Sequence, residues 1–265
     1  MERRRLLIAP MLMMLARQAR SDGSAAQIAV AVADRPAGRD LTTLGTLELR
    51  DKGGATRTRE FVSYRRDTGV GGKANLIRFL SPADIAGTAL LSLSRSDGEQ
   101  EQSLYLPAMD RVRRVASDRK AGRFVGSDIY YEDLLERRPH QDRHRLLGKE
   151  VVDGTVCDML ESVPVEAGTS AYLGRVSWID TKTLLPRRVD YHERDAAKAS
   201  KRWELLAHRR VKGYWTVLDS RVTDLETGHS TRLTVHEAIY DRGLPASLFT
   251  PRALADETLE AEYRP

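Results

Sequence analysis

Three carboxylates, Asp128, Glu132 and Asp133, lie close together in the segment GSDIYYEDLL at 126–135. Paired carboxylates can act as general acid and base in catalysis. However, Asp128 stands where a short helix would begin, and the other two fall in its first turn, where negative charge is favourable. We therefore interpret all three as helix-capping and salt-bridging groups. Ser127 is interpreted as a turn or capping residue rather than a nucleophile.

His140 and His144 are four residues apart, the spacing at which a helix places two imidazoles on one face for a metal ion. The segment between them is turn-like and lacks the glutamate of the zinc-protease motif, so solvated loop histidines are the favoured interpretation. The single cysteine, Cys157, excludes an intrachain disulfide and any multi-cysteine metal site. Neither a metal ion nor a cofactor is predicted.

The densest basic cluster consists of Arg111, Arg113, Arg114, Arg119, Lys120 and Arg123. A solvated outer face is the simpler interpretation, and a rim that recognises an anionic head group or an acidic partner is the alternative. The net charge of +5 is modest for this length, and few aromatic residues accompany the arginines. Nucleic acid is therefore not predicted as a partner.

Alternation of apolar and polar residues, interrupted by turn signals, predicts antiparallel strands from Leu41 onward. The strongest hairpin signal is Asp153–Gly154. We count about eleven strands, with one dry face and one wet face. The dry face is predicted to carry Val176, Trp178, Val189, Tyr191, Trp203, Leu205, Trp215, Val217, Leu233 and Val235. Because little helix is predicted, so long a sheet must curl onto its own apolar face and can enclose a cavity.

The N-terminus has the outline of a secretory signal peptide, with three arginines at 3–5 followed by an apolar run at 6–16 that is too short to cross a bilayer. We predict a signal peptide at 1–26, export to the periplasm and a single domain at 27–265. A misplaced start and an amphipathic cytosolic arm are the alternatives. No other segment is apolar enough to cross a membrane.

Nine short motifs together resemble the outer-membrane lipoprotein-sorting protein family. They are FLSP (79–82), GTALL (87–91), LYLPAM (104–109), RRV (113–115), FVGSDIYYEDL (124–134), WID (178–180), LP (185–186), GYW (213–215) and FT (249–250). Their order and spacing make the resemblance specific, and it covers about residues 40–254. The position before the LYLPAM motif is Ser103, where the family often has tryptophan, and Ile129 stands where an aromatic residue is common.

The resemblance implies a LolA-like fold, which is a strongly curved, incomplete antiparallel β-barrel with short helices as a lid. It also implies a non-catalytic carrier or chaperone that binds lipid or lipoprotein acyl chains in an apolar cavity. The residues expected to line this cavity are Leu90, Leu104, Leu106, Phe124, Ile129, Trp178, Tyr191, Trp203 and Leu233. The lid and its hinge are expected at Gly126, Ser127, Asp128, Tyr130, Tyr131 and Leu134.

Two other functions are consistent with the same fold or sequence. An envelope sensor, or an accessory subunit of a lipid-exporting transporter, would use the fold to bind a protein. A lipid hydrolase would need a nucleophile and base, which the sequence does not pair. For the carrier we expect a monomer whose partners are an acyl chain, an inner-membrane transporter and, peripherally, the membrane surface.

Overall fold

A single antiparallel sheet of thirteen strands makes up most of the computed structural model, which describes residues 24–69, 72–95, 98–116 and 119–265. The strands are β1 (Asp40–Arg50), β2 (Thr56–Gly69), β3 (Gly72–Ser81), β4 (Ala89–Ser94), β5 (Gln100–Leu106), β6 (Arg111–Arg114), β7 (Asp142–Val152), β8 (Thr155–Pro164), β9 (Gly174–Asp180), β10 (Pro186–His192), β11 (Lys201–Val211), β12 (Tyr214–Asp224) and β13 (Ser230–Tyr240). The predicted class, mainly β, is confirmed, although the count of about eleven strands is too low.

The strand order is β6-β5-β4-β3-β2-β1-β13-β12-β11-β10-β9-β8-β7. Every strand pairs with its neighbours in sequence except β6 and β7, which do not pair with each other. β1 also pairs with β13, so the first and last strands join the two halves of the sheet. The two edges, β6 and β7, are consecutive in the chain. The sheet is therefore curved and open, as the predicted incomplete barrel requires, and residues 115–141 connect its two edges.

The turn at Asp153–Gly154, the strongest hairpin signal in the sequence, sets the register between β7 and β8. Asp153 and Gly154 have φ of +47° and +75°, the left-handed pair that a tight two-residue hairpin turn needs. Glycine reaches such angles without steric cost, and aspartate tolerates them. The turn therefore fixes the pairing of β7 with β8.

Helices are short. They are α1 (24–33) and α2 (Pro251–Ala255), with 3-10 turns at Pro107–Met109, Phe124–Gly126, Glu132–Leu134, Pro139–Gln141, Ala246–Leu248 and Glu257–Tyr263. Among the described residues, none of these helices has the length and apolar character needed to cross a membrane. Helix α1 runs through the predicted cleavage point, and Ala25 and Ala29 pack on Leu160 and Ile179. The remainder of the predicted signal peptide lies outside the described residues, and the domain boundary stays a prediction.

The C-terminal segment, residues 244–263, covers the outer face of β2, β3 and β4. Its apolar side chains pack on alternate residues of these strands to form one core. Its buried members are Val62, Tyr64, Ala74, Leu76, Ala89, Leu91, Leu244, Leu248, Phe249 and Leu254. The end of the chain thus covers one face of the sheet at β2–β4, and the opposite face is left to other segments.

All four residues of the edge strand β6 are exposed. Its register with β5 places Arg113 opposite Leu104 and Arg111 opposite Leu106. These two arginines therefore lie on the same face of the sheet as the leucines, and not on the outer face. Exposed charge on an edge strand opposes pairing with a second chain. The three arginines of the cluster that lie on β6, namely Arg111, Arg113 and Arg114, are therefore explained first by protection of this edge.

Replacing Arg111 and Arg113 together with valine is expected to promote self-association, because an uncharged β-branched edge can pair with another copy. Sedimentation velocity over a concentration series would measure it. The matched control removes two exposed charges from an internal strand, Arg209→Val with Arg210→Val. Equal self-association of both double variants would show that net charge, and not the edge, controls solubility.

Candidate ligand site on the inner face

The register divides the sheet into two faces, and we call the one that carries Leu90 and Leu233 the inner face. Leu90 is opposite Leu104 on β5, and Leu47 is opposite Leu233 on β13. These residues belong to a second core that spans both halves of the sheet. Its buried members are Leu47, Leu49, Phe61, Phe79, Ile85, Leu90, Phe124, Ile129 and Val222. These side chains form an apolar wall that extends across both halves of the sheet.

Residues 119–135, which we call the plug, lie against this wall. Phe124 and Ile129 are buried in the second core, and the ring of Phe124 lies 5.6 Å from that of Phe79. Tyr131 and Leu134 pack beside them. Burying one such side chain is worth about 1.5–3 kcal/mol. The plug thus covers the apolar wall at this position.

A tight turn presents Phe124 to the sheet. The Ser127 hydroxyl donates to the Phe124 carbonyl at 2.7 Å and accepts from the Ile129 amide at 3.2 Å, so Ser127 is a turn residue. Val125 has φ of +48°, an unfavourable angle for a β-branched side chain. The Arg59 guanidinium, from the inner face, donates to the Val125 carbonyl. The sheet therefore helps to hold a strained backbone in the plug.

Asp128 binds the plug to the sheet rather than capping a helix, so the predicted capping role is wrong. Its buried carboxylate accepts from Arg123 at 2.8 Å and from the Thr231 hydroxyl at 2.8 Å. His229 Nδ1 lies 2.6 Å from the same carboxylate. A carboxylate this deeply buried needs such partners, because an unpaired charge would be strongly destabilising.

Lys201 on β11 forms the centre of a second anchor, which we call the latch, with Asp133, Tyr130, Tyr172 and Tyr191. Its ammonium lies 2.7 Å from Asp133 and donates to the Tyr172 hydroxyl. The same nitrogen lies 3.7, 4.7 and 4.9 Å from the ring centroids of Tyr130, Tyr172 and Tyr191. An ammonium surrounded by aromatic faces is stabilised by cation–π attraction, most strongly where water is excluded.

Burial controls the ionisation of the latch. It lowers the pKa of Lys201, and the neighbouring Asp133 opposes this effect. Burial, assisted by Glu193, raises the pKa of Tyr130 to about 12, and burial also raises the pKa of Tyr172 and of Tyr191. The three tyrosines therefore remain neutral at physiological pH.

Glu132 is a third anchor and binds the loop that precedes β9. It accepts from the Ser170 hydroxyl and the Ala171 amide, each at 2.5 Å. The Tyr172 hydroxyl in the same loop donates to Asp133 at 2.7 Å. Glu132 and Asp133 do fall in the first turn of a 3-10 helix, as expected. Asp133 accepts from the Tyr130 amide at 2.7 Å at the start of this turn, and both side chains also contact other elements. Structural contacts therefore account for all three carboxylates.

The structure brings most of the predicted lining residues together. Leu90, Leu104, Phe124, Ile129, Trp203 and Leu233 all belong to the second core. Tyr191 is part of the latch, and Leu106 lies at the end of β5 opposite Arg111. Of the predicted lid residues, Gly126 and Ser127 form the turn. Asp128 contacts Thr231 of the sheet, and Tyr130 belongs to the latch. Tyr131 and Leu134 pack on the wall.

Trp178 was wrongly expected on the inner face. Its cross-strand neighbours are Met159 and Arg188, whereas the flanking residue Ile179 packs under α1. The indole nitrogen donates to Glu150 at 2.9 Å, and the Arg188 guanidinium stacks 4.1 Å from the ring centroid. Trp178 is therefore held on the outer face by polar contacts.

His144 serves a structural role in the described structure. Its Nδ1 lies 2.9 Å from the Ser162 hydroxyl, and its Nε2 lies 2.8 Å from the Pro139 carbonyl. Within the described ranges, no group of three or more histidine, cysteine, aspartate or glutamate side chains is placed to hold a metal ion. His144 thus stabilises the start of β7.

The fold and its covered inner face define an open, LolA-like β-sheet protein. A LolA superfamily protein from Nitrosomonas europaea is similar at a TM-score of 0.65 and 14% identity, over 87% of this chain and 97% of that one. This likeness concerns the fold alone. A family model described as "Uncharacterized protein" matches residues 71–256, more than half of the chain. The chain belongs to that family.

Two solved structures are more similar in sequence. One is a domain from Vibrio parahaemolyticus provisionally assigned to outer membrane lipoprotein sorting, with 28% identity and a TM-score of 0.82 over 89% of this chain and 99% of that one. The other is a DUF1329 family protein from Desulfovibrio piger, with 28% identity and a TM-score of 0.83 over 88% and 99%. No curated protein matches the chain. The resemblance to lipoprotein-sorting, LolA-like proteins is thereby confirmed.

Proposed function

We propose that this protein is a non-catalytic periplasmic carrier that holds an acyl chain against the inner face and transfers it towards the outer membrane. The observation that carries the proposal is the apolar wall covered by the plug, in which Phe124 and Ile129 contribute apolar side chains from outside the sheet. An acyl chain could take their place. The similarity to a lipoprotein-sorting domain supports the ligand class.

Displacing the plug costs energy that the ligand must supply. Uncovering Phe124 and Ile129 costs about 3–6 kcal/mol at the usual value for an apolar side chain. A buried CH₂ contributes about 0.8 kcal/mol, so roughly eight methylenes offset this apolar part of the cost, to which the polar contacts of the anchors add. A chain of common acyl length exceeds that number, whereas a short apolar molecule does not. The plug therefore favours long chains.

The direct test is extraction of the purified native protein and lipid analysis by mass spectrometry, followed by titration of the delipidated protein with a fluorescent fatty acid. Bound lipid and saturable binding are the expected results. Absence of both would contradict the carrier. A co-purified envelope protein without lipid would instead favour the sensor or transporter subunit.

Replacing Leu104 with glutamine is expected to weaken fatty-acid binding roughly tenfold or more. Leu104 is partly buried on the inner face, and a polar side chain there removes a leucine contact worth about 1.5–3 kcal/mol. Fluorescent fatty-acid titration measures the change. The control, Leu206→Gln, alters an exposed leucine. Equal affinity of the two variants would place the ligand away from the inner face.

A further inference from the structure

Two adjoining cavities lie between α1 and residues 136–140, apart from the wall that the plug covers. The first has a volume of about 620 Å³ and the second about 290 Å³. Six residues line both: Ala33, Arg35, Ala37, Lys73, Glu136 and Pro139. The two cavities are therefore neighbours that share a wall.

Three arginines line the first cavity without a carboxylate partner. Among the described residues, no acidic side chain lies within 4.0 Å of the guanidinium of Arg35, Arg65 or Arg138. Arg35 donates to the Trp215 carbonyl at 3.0 Å, and Arg65 donates to the Ala37 carbonyl. Lys73 differs, because Glu136 lies 2.5 Å from its ammonium. The cavity thus holds three arginine charges that only neutral groups contact.

Buried guanidinium nitrogens within this set lack any partner. They are Nε of Arg35 and both Nε and Nη2 of Arg138. Buried polar groups in proteins are nearly always hydrogen-bonded, and an unsatisfied donor costs free energy. Burial lowers the pKa of Arg35, and the nearby Arg65 adds to this effect while Tyr240 opposes it. An anion beside these guanidinium groups would offset the cost of burying their charge.

Acidic side chains also line the first cavity and limit the anion's size and position. Glu136 is paired with Lys73, Asp67 accepts from the Gly69 amide, and Asp34 is exposed. These groups would repel a large polyanion. A single phosphate or carboxylate, bound bidentately by guanidinium groups, is compatible with them.

The second cavity has an apolar side beside the arginines. This side consists of Ala29 and Val32 of α1 and of Leu160 and Ile179 of the sheet, and the remaining lining is mainly polar. A ligand with an anionic head and an apolar chain would satisfy both cavities. A free anion would use only the first.

We propose that Arg35, Arg65 and Arg138 bind the phosphate or carboxylate head group of an acylated ligand, with the first part of its chain against Ala29, Val32, Leu160 and Ile179. This inference rests on the proposed carrier function for the chain, and it adds the head-group chemistry. Such a site would select anionic amphiphiles over neutral ones.

The test is isothermal titration of the protein with dodecyl phosphate, dodecanoate, dodecanol and inorganic phosphate. We expect dodecyl phosphate or dodecanoate to bind at least tenfold more tightly than dodecanol. Arg138→Gln should abolish this difference by weakening the binding of the two anionic chains. The buried Nε and Nη2 atoms of Arg138 make no hydrogen bond, so the variant loses none at these atoms and should fold. The control is Arg143→Gln, at an exposed position of β7.

The outcomes separate the head-group site from the carrier function. Equal binding of charged and neutral chains, unchanged in Arg138→Gln, would overturn the head-group site and leave the carrier intact. Failure of every chain to bind would overturn the carrier. If inorganic phosphate alone then bound in an Arg138-dependent manner, the site would be one for a small anion and the amphiphile would be excluded. Whichever charged chain binds more tightly identifies the head group as phosphate or carboxylate.

Discussion

Replacing Lys201 with methionine is expected to destabilise the protein by about 3–5 kcal/mol, because it leaves the largely buried carboxylate of Asp133 without its cation. Lys201 is 2% exposed, and Asp133 is its ion-pair partner at 2.7 Å. The three surrounding tyrosine rings would also lose the ammonium they contact. Because Lys201 holds the plug to β11, the plug should be the region that loses most stability.

Urea denaturation would measure the total effect, and hydrogen exchange of residues 119–135 would locate it. Tyr172→Phe is a milder variant of the same latch. It removes the hydroxyl that donates to Asp133 at 2.7 Å and should cost about 1–2 kcal/mol. Lys198→Met, at an exposed turn position, is the matched control and should be neutral. If the plug kept its protection in Lys201→Met, it would not depend on the latch.

The latch variants also separate stability from binding. If only molecules with an open plug bind the ligand, the apparent affinity is the intrinsic affinity multiplied by the fraction of open molecules. Weakening the latch should therefore raise the apparent affinity for a fluorescent fatty acid, tenfold for each 1.4 kcal/mol by which opening becomes easier. Tyr172→Phe, which should remain well folded, is the better variant for this measurement. Unchanged affinity alongside faster exchange of the plug would show that the ligand does not enter beneath it.

Periodicity predicted the sheet well, because strands with one dry face repeat every two residues. It placed Tyr191, Trp203 and Leu233 on the inner face, where the structure has them. On β9 it failed: both faces carry buried residues, and Val176 and Trp178 were assigned to the wrong one. Where both faces are covered, alternation cannot tell inside from outside.

The anchors of the plug could not be predicted from local pattern. Asp128 and Glu132 looked like capping groups because their partners, Thr231 and Ser170, are distant in sequence. Lys201 follows a polar turn and resembles an ordinary solvated lysine. Only the fold brings it to three tyrosines. Helix α1 was missed for another reason: its sequence AAQIAVAV at 25–32 is rich in β-branched residues and adjoins a signal-like segment.

On the outer face, Arg78→Met is expected to destabilise the protein by at least about 3–5 kcal/mol. The pair that Arg78 makes with Glu260 at 2.6 Å is the most deeply buried of the described ion pairs, at 1% and 2% exposed. Arg78 also donates to the carbonyls of Gly87, Leu254 and Ala253 at 3.0–3.2 Å. Four acceptors would lose their donor at once. Urea denaturation measures the loss, and Arg252→Met, an exposed arginine on α2, is the control.

A double-mutant cycle with Glu260→Leu tests whether the two charges act as a pair. Removing both should cost less than the sum of the single variants by about 0.5–3 kcal/mol, because neither charge is then left alone. Additive effects would mean that the carbonyl contacts of Arg78, and not the ion pair, hold the C-terminal segment. Arg78 and Phe79 are adjacent on β3 and point to opposite faces. The C-terminal segment that Arg78 holds therefore packs on the opposite side of β3 from the plug. Arg78→Met should for this reason also increase hydrogen exchange in residues 119–135. Arg252→Met should not.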